Sequence, residues 1–543
     1  MLMMLLKLTI CLLLSIYLCE CVSVQTKLGK LKGAERKSRD GKTYYAFIGI
    51  PFAKPPVGKL RLKNPEHIEP WHEELDVSNE SPQIGCYQIG TIPLEVKNKV
   101  FGQEDCLYLS VYTPDLKPKE KLAVLVYIHG GAFRWGGEGP KYNAGYLIDG
   151  NVILVNIHYR LGALGFLSTE DEYIPGNFGL KDQAMALQWI KDNIESFGGD
   201  NEKITIFGIS AGGTSTHYHM MSPLSKGILK GVITQSGWIN PFWGVALPGT
   251  ARPMAKVVAE VVGCQDYRRA ELLECLQNAD VEKLAKSEQN FTYWDTDPAV
   301  VFRPVQEREA EGAFMTFDPF TQETTLPWIT GTVSSEGIFK YISLASQDDS
   351  VTQQFIDNMN DYLHRFLSLD ASCPQAVETV KLVRERYFPE PITVKSTQSG
   401  MRMLFGDAYF LYPMAMAMKK HKGPMYQYLY DYRSGSSISD ITGNFGDIGV
   451  SHGDDQFPLF NMTEYFPKQK PGDEEVSRTM VQLWTNFAKY HKPTLEEDQF
   501  VWPKYDSKAQ YLHIAKTLSV GQNLKEDVID WWFKLPAFSN SFI

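Results

Sequence analysis

The chain has 543 residues, 43% of them hydrophobic and 22% charged, with a formal net charge of −10 at pH 7. This is ample apolar material for a large folded core. Acidic and basic residues are interspersed with no basic stripe, which speaks against nucleic-acid binding.

The chain opens "MLMMLLKLTICLLLSIYLCECVS", in which one lysine precedes an apolar run and small residues follow at Cys19, Cys21 and Ser23. The pattern predicts a secretory signal over residues 1–23, cut near Ser23. The alternative is an uncleaved anchor. No later run is long and apolar enough to span a bilayer, so the expected product is secreted, with no stable membrane anchor. Five cysteines follow the signal: Cys86, Cys106, Cys264, Cys275 and Cys373. Near-neighbour pairing would join the first two and the next two and leave Cys373 free, although sequence leaves the connectivity open. An oxidising compartment favours such bridges. Sequons at Asn79, Asn290 and Asn461 suit a glycosylated export product.

Short apolar runs then alternate with helical patterns. "LAVLVYIHGG", "NVILVNIHYR", "KITIFG", "KGVITQSG" and "MYQYLYDYRS" read as strands, several apolar throughout and so buried on both faces. Between the second and third, "GLKDQAMALQWIKDNIESFGG" reads as an amphipathic helix, with Ala184, Leu187, Ile190 and Ile194 on one side. Strand alternating with helix implies an α/β domain whose mainly parallel sheet is covered by helices. One such domain over 24–543 is the simplest account.

The first strand ends in "HGGAF". Gly131 and Ala132 there offer backbone N–H groups that no large side chain obstructs, and with Ala211 they are candidates for an oxyanion hole. The third strand runs into Gly208-Ile209-Ser210-Ala211-Gly212. G-x-S-x-G alone is a weak signal, since "GVSHG" at Gly449–Gly453 matches it too. Context separates them: Ser210 follows a strand and precedes a helical segment, the setting in which a sharp turn lifts a serine hydroxyl clear of a sheet. Ser451 follows a polar, glycine-rich loop. A serine needs a base held by a third group, and in enzymes with such a turn the acid and the histidine follow it in chain order. His217 and His219 lie two apart on the following helix, face different ways and read as packing or surface residues. "WITGTVSSEGIF" offers Glu336 after an apolar strand, with an exposed loop carboxylate as the plain alternative. His364, His421, His491 and His513 have no special loop around them. His452, in "GDIGVSHGDDQF", has small neighbours and can reach a pocket mouth. "FPKQKPGDEE" near 466–475 reads as a surface loop.

Taken together the motifs resemble the type-B carboxylesterases, the cholinesterase/carboxylesterase family of α/β-hydrolases, and among them the secreted carboxylesterases of insects. The resemblance rests on "FGGDNEKITIFGISAG" (Phe197–Gly212), on "EDCLYLS" (Glu104–Ser110), and on "YYAFIGIPFAKPPVGKLRL", "GNFGLKDQAMALQWI" and "TQSGWINPFW". It implies an α/β-hydrolase fold with a central, mostly parallel sheet flanked by helices. It also implies a Ser210–Glu336–His452 triad, the two disulfides above, and ion pairs of Arg61 with Glu104 and Arg160 with Asp182. By position, Trp243 would line the acyl pocket, with Phe133 nearby. The implied partner is a small-molecule ester, with no cofactor and no metal.

Three departures bear on substrate. Ala132 stands where the family commonly has a third glycine, which narrows the pocket. No tryptophan lies between Cys86 and Cys106 to hold a quaternary ammonium, which speaks against choline esters. Ile209 replaces the glutamine that juvenile-hormone esterases favour before the serine. The expected activity is hydrolysis of neutral carboxylic esters through an acyl-enzyme, with xenobiotic, odorant or hormone esters as substrates. The competing class is a non-catalytic or sequestering ester-binding or adhesion protein of the same fold.

Overall fold

The continuous apolar runs become strands buried on both faces. The structure, a computed structural model, describes residues 22–79, 85–90, 98–137, 142–441, 443 and 445–539. The strands in chain order are β1 (Val22–Gln25), β2 (Lys30–Lys37), β3 (Thr43–Pro51), β4 (Leu75–Asp76), β5 (Gln88–Ile89), β6 (Val100–Phe101) and β7 (Tyr108–Thr113). They continue with β8 (Leu122–Ile128), β9 (Ile153–Ile157), β10 (Gly199–Ile209), β11 (Leu229–Gln235), β12 (Trp328–Val333), β13 (Met425–Tyr430), β14 (Gln510–Ile514) and β15 (Leu518–Gln522). Among the described residues one large sheet runs β1-β2-β3-β7-β9-β8-β10-β11-β12-β13-β14-β15, with β4 beside β2. From β9 to β14 every neighbouring pair is parallel. The margins are antiparallel. This mostly parallel sheet flanked by helices is the expected α/β-hydrolase architecture.

Alternation along each strand splits the core in two. Val124, Val126 and Ile128 of β8 face one cluster with Ile204 and Ile206 of β10. Leu125, Tyr127, Phe207 and Ile209 face the other. Each fully buried aliphatic side chain stabilises the fold by about 1.5–3 kcal/mol, so a single charge in β8 would have no water on either side.

Helix α1 (Phe178–Asn193) departs from its expected amphipathic pattern, because Lys181, Asp182 and Gln183 are buried too. The polar face is covered by other chain segments and neutralised residue by residue. Asp182 accepts from Arg160 Nη2 at 2.6 Å and Nε at 2.8 Å, and Lys181 pairs with Glu307. Arg61 and Glu104 form a two-pronged pair at 2.6 and 2.7 Å. Removing one partner of such a buried pair costs about 3–5 kcal/mol, because the other is left uncompensated. Helix α2 (Ala211–His219) follows Ser210 directly and is buried along its whole length.

Helix α3 (Ile338–Ala345) follows β12, and helix α4 (Val394–Gly406) packs on it through Gly337, where a Cβ would lie 1.7 Å from the carbonyl oxygen of Arg402. The expected loop at 466–475 ends early. Asp473, Glu474 and Glu475 form the acidic first turn of helix α5 (Asp473–Tyr490), where negative charge offsets the helix dipole. The bridges Cys86–Cys106 and Cys264–Cys275 are present, with Cys373 free. Of the expected signal, only Val22 and Ser23 fall within the described residues, at the start of β1. Among the described residues, no helix is long and apolar enough to cross a membrane.

Candidate active site

β10 delivers Ser210 into a turn that few side chains would adopt. Its backbone stands at φ 58, ψ −125, between the end of β10 and the start of α2. Such a conformation costs of order 1–3 kcal/mol and persists only where the surroundings dictate it. Here they do: Ser210 N–H donates to Gln235 O of β11 at 2.9 Å. The glycines permit close approach. A Cβ on Gly212 would lie 2.0 Å from Ile128 O, and one on Gly237 would lie 1.8 Å from Ser210 O.

The loop after β8 lies against this turn, since a Cβ on Gly130 would be 3.1 Å from the Cβ of Ser210. Gly131 and Ala132 line the same cavity as Ser210. Ala132 and Phe133 are both left-handed, at φ 55 and 56. Ala211 is the first residue of α2, where backbone N–H groups have no partner within the helix and the dipole favours negative charge.

Glu336 lies just beyond β12 and is 4% exposed, so the reading of it as an exposed loop carboxylate fails. Its Oε2 is 2.6 Å from His452 Nδ1. Its other oxygen accepts from the Thr332 hydroxyl and from Val333 N–H at 3.0 Å. Burial pushes this carboxyl up. Electrostatic attraction and the hydrogen bond from His452, together with neighbouring hydroxyls, outweigh that and hold it below the ordinary glutamate range. The His452 ring is flanked by Phe410, at 4.6 Å between centroids, and by Phe339 at 6.2 Å. Gly453 packs toward Ile209, with a Cβ there 3.7 Å from Ile209 Cδ1, so the residues beside His452 and Ser210 are neighbours.

Ser210 and His452 share the lining of a cavity of about 810 Å³. Ser210 and His452 therefore line one largely apolar space, with Glu336 buried behind the imidazole and backbone amides of a strained loop and a helix N-terminus beside the serine. Such a constellation can activate a hydroxyl and stabilise a developing oxyanion.

Trp243 lines the cavity, and its Nε1 donates to Tyr409 O at 3.2 Å. Phe133 does not line it. Its ring is fully buried against Phe166, 4.8 Å between centroids, because the left-handed backbone turns it inward. His217 and His219 are packing residues: His219 bonds Ser225 and Gln183, and His217 stacks on Trp328. Ser110, the last residue of the EDCLYLS stretch, accepts from Gly49 N–H at 3.1 Å. Asn79 and Asn290 are exposed and Asn461 is half-buried.

Sequence reasoning missed several residues around the site. Phe339, Phe405, Phe410, Tyr465 and Phe466 all line the cavity. They come from distant segments and share no spacing that could have flagged them. Asp455, three residues after His452, is buried and accepts from Tyr428 and Gln235. Burial pushes its carboxyl up.

The sequence model described as "Carboxylesterase family" matches residues 20–532. A carboxylic ester hydrolase of Bombus ignitus is 35% identical over 529 residues, 94% of this chain and 93% of that one. A juvenile hormone esterase of Tribolium castaneum is 36% identical over 503 residues, 87% and 84% of the two chains. Venom carboxylesterase-6 of Apis mellifera is 33% identical over 546 residues, 95% of each. Among solved structures, juvenile hormone esterase from Manduca sexta, with OTFP covalently attached, aligns with a TM-score of 0.84 at 26% identity, over 95% of this chain and 99% of that one.

Proposed function

The chain belongs to the carboxylesterase family and is a carboxylic ester hydrolase, and on that premise we propose that it works as a secreted serine esterase through an acyl-enzyme on Ser210. The observation that carries this reading is the 2.6 Å contact of His452 Nδ1 with buried Glu336, on an imidazole that shares its cavity with Ser210. Ser210 Oγ attacks the ester carbonyl carbon while His452 Nε2 takes the hydroxyl proton. The carbonyl π electrons move onto oxygen, where the N–H groups of Gly131, Ala132 and Ala211 receive the charge. Collapse breaks the bond to the leaving alcohol, which takes the proton from His452. Water then attacks the acyl-enzyme, giving its proton to His452, which returns it to Ser210 as the carboxylic acid leaves. Glu336 keeps Nδ1 protonated and stabilises the imidazolium without taking the proton.

The substrate proposed is a neutral ester with a compact, unbranched acyl group and a larger apolar alcohol. The cavity wall is chiefly aromatic and aliphatic, and its size is ample for a drug-sized ligand. Ala132 and the fixed indole of Trp243 support the compact acyl side. Xenobiotic, odorant and hormone esters all fit this class; the names of the Tribolium castaneum and Manduca sexta relatives add support for a hormone ester. The apolar segment 1–23, two disulfides and exposed Asn79 and Asn290 support export, signal cleavage and glycosylation, with 24–543 as a single functional unit.

One equivalent of an organophosphate is expected to label Ser210 and abolish turnover of a p-nitrophenyl ester. Undiminished turnover by Ser210→Ala discards the assignment. A one-equivalent burst followed by negligible steady state would favour a sequestering role instead.

A further inference from the structure

A strained loop is a poor donor platform unless something holds it. Ala132 and Phe133 are consecutive left-handed residues without the freedom of glycine, and such stretches persist only where the surroundings over-determine them. The next residue supplies a holding contact. Arg134 is 7% exposed and sends Nε and Nη2 to Glu288 Oε1 at 3.1 and 2.9 Å. Its Nη1 donates to the carbonyl oxygens of Ala299 at 3.3 Å and Pro298 at 3.5 Å. Glu288 is 2% exposed. One guanidinium therefore fastens the loop to two separate pieces of chain.

The second piece is itself clamped from the far side. Lys340 Nζ lies 2.6 Å from Asp295 Oδ2, contacts Asp297 Oδ2, and sits 4.3 Å from the centre of the Trp294 ring. Lys340 belongs to α3, four residues after Glu336. The strap 295–299 thus spans from the helix behind Glu336 to the loop that carries Gly131 and Ala132. A buried ion pair is weak evidence for stability, since apolar groups of similar volume often do as well. A rigid fork fixing geometry is a better account of an arginine here. Arg134 also lines the cavity, along with Thr296 and Ala299 of the strap.

We propose that Arg134 is a positioning residue for ester hydrolysis, fastening the Gly131–Ala132 loop to Glu288 and to the strap 295–299 so that its N–H groups meet the oxyanion. This rests on the reading of Gly131 and Ala132 as donors. The test compares Arg134→Lys, which keeps the charge and loses the fork, with the paired replacement Arg134→Met/Glu288→Gln, which leaves no buried charge unpaired. Each is measured for kcat and KM on a p-nitrophenyl ester, and for inhibition by a trifluoromethyl ketone and the matching methyl ketone. Ser210 Oγ adds to the trifluoromethyl ketone carbon, the carbonyl electrons become an oxyanion and the serine proton goes to His452, so its affinity reads the donors. The methyl ketone reads only ground-state fit.

In the paired variant kcat is expected to fall about 30- to 100-fold, as for a small misplacement of catalytic groups. Trifluoromethyl ketone affinity falls in step, while KM and methyl ketone affinity stay within about 2-fold, as expected when only transition-state contacts are lost. Arg134→Lys falls between the two, and decides alone if the paired variant does not fold. Unchanged kcat and trifluoromethyl ketone affinity, or all four quantities moving together, overturns the inference. With Ser210→Ala inactive, that result leaves the serine-esterase reading standing. Full turnover by Ser210→Ala sinks the reading itself.

Discussion

Replacing Glu336 by glutamine changes one oxygen to nitrogen, and the surroundings decide which. Val333 N–H and the Thr332 hydroxyl both donate to Oε1, so the amide oxygen must stay there. The NH2 then falls at the Oε2 position, 2.6 Å from His452 Nδ1. An NH2 donor demands an acceptor, so Nδ1 loses its proton and Nε2 carries it instead. An imidazole in that tautomer cannot accept the proton of Ser210. The side chain still fills its place, and the expected loss is in kcat, about 10⁴-fold as for the equivalent change in a Ser-His-Asp site. This corresponds to roughly 5.5 kcal/mol of barrier. The assay is steady-state turnover of a p-nitrophenyl ester, with the fold checked by thermal melting. A properly folded Glu336→Gln enzyme with a tenth or more of the native kcat would refute the argument that Glu336 sets the tautomer.

Two other outcomes are expected. Ala132→Gly removes a methyl group from the cavity wall and relieves a left-handed residue worth roughly 1–2 kcal/mol, partly offset by the greater unfolded-state freedom of glycine. Longer acyl esters should gain in kcat/KM relative to acetate with no loss of melting temperature, whereas an unaltered acyl profile would show that Ala132 does not limit the pocket. The buried histidines set an acid limb: burial pushes His217 and His219 down to about 3, with His421 adding to the effect on His217. The unfolded chain takes up these protons below the ordinary value of 6.5 while the folded one does not until about 3. The unfolded state therefore binds more protons across that window, and stability falls as pH drops. With a limiting slope of about 1.4 kcal/mol per unit for each residue, reached only below 6.5 where the unfolded imidazole is mostly protonated, the pair removes roughly 3 kcal/mol between pH 6.5 and 5. Burial also pushes His158 and His421 down to about 4, which adds to the same limb, and the Asp454 carboxyl up to about 7, which opposes it. His219→Gln should therefore lessen the slope by about 1 kcal/mol per pH unit in urea melts at the two pH values; an unchanged slope would contradict the assignment.

Much of the frame could be read without coordinates. Hydrophobic runs such as Leu122–Ile128 and Ile153–Ile157 announce buried parallel strands, because a strand covered on both faces has no position where water can reach a polar side chain. The turn at Gly208–Gly212 was legible for a similar reason, since a close crossing of backbones leaves no room for a side chain two positions either side of Ser210, at Gly208 and Gly212. Both signals are local: the cause and the residues that show it lie within a few positions. The Cys86–Cys106 and Cys264–Cys275 bridges agree with near-neighbour pairing, which the residues alone left open and the family resemblance implied.

What tertiary structure decided is whatever depends on residues far apart. Glu336 could be named as a candidate from its strand, but its burial and its grip on His452 follow from β12 and the 449–453 loop meeting at one end of the sheet. Phe133 was expected at the pocket and went into the core instead, because two left-handed residues in succession redirect its side chain. Helix α1 buried its polar face only because Arg160 and Glu307 arrive to neutralise it. The aromatic cavity wall and the Arg134 fork are assembled from segments with no shared periodicity. Sequence patterns record the steric and solvation demands of neighbours along the chain; contacts between distant segments are chosen by packing, which only the folded arrangement contains.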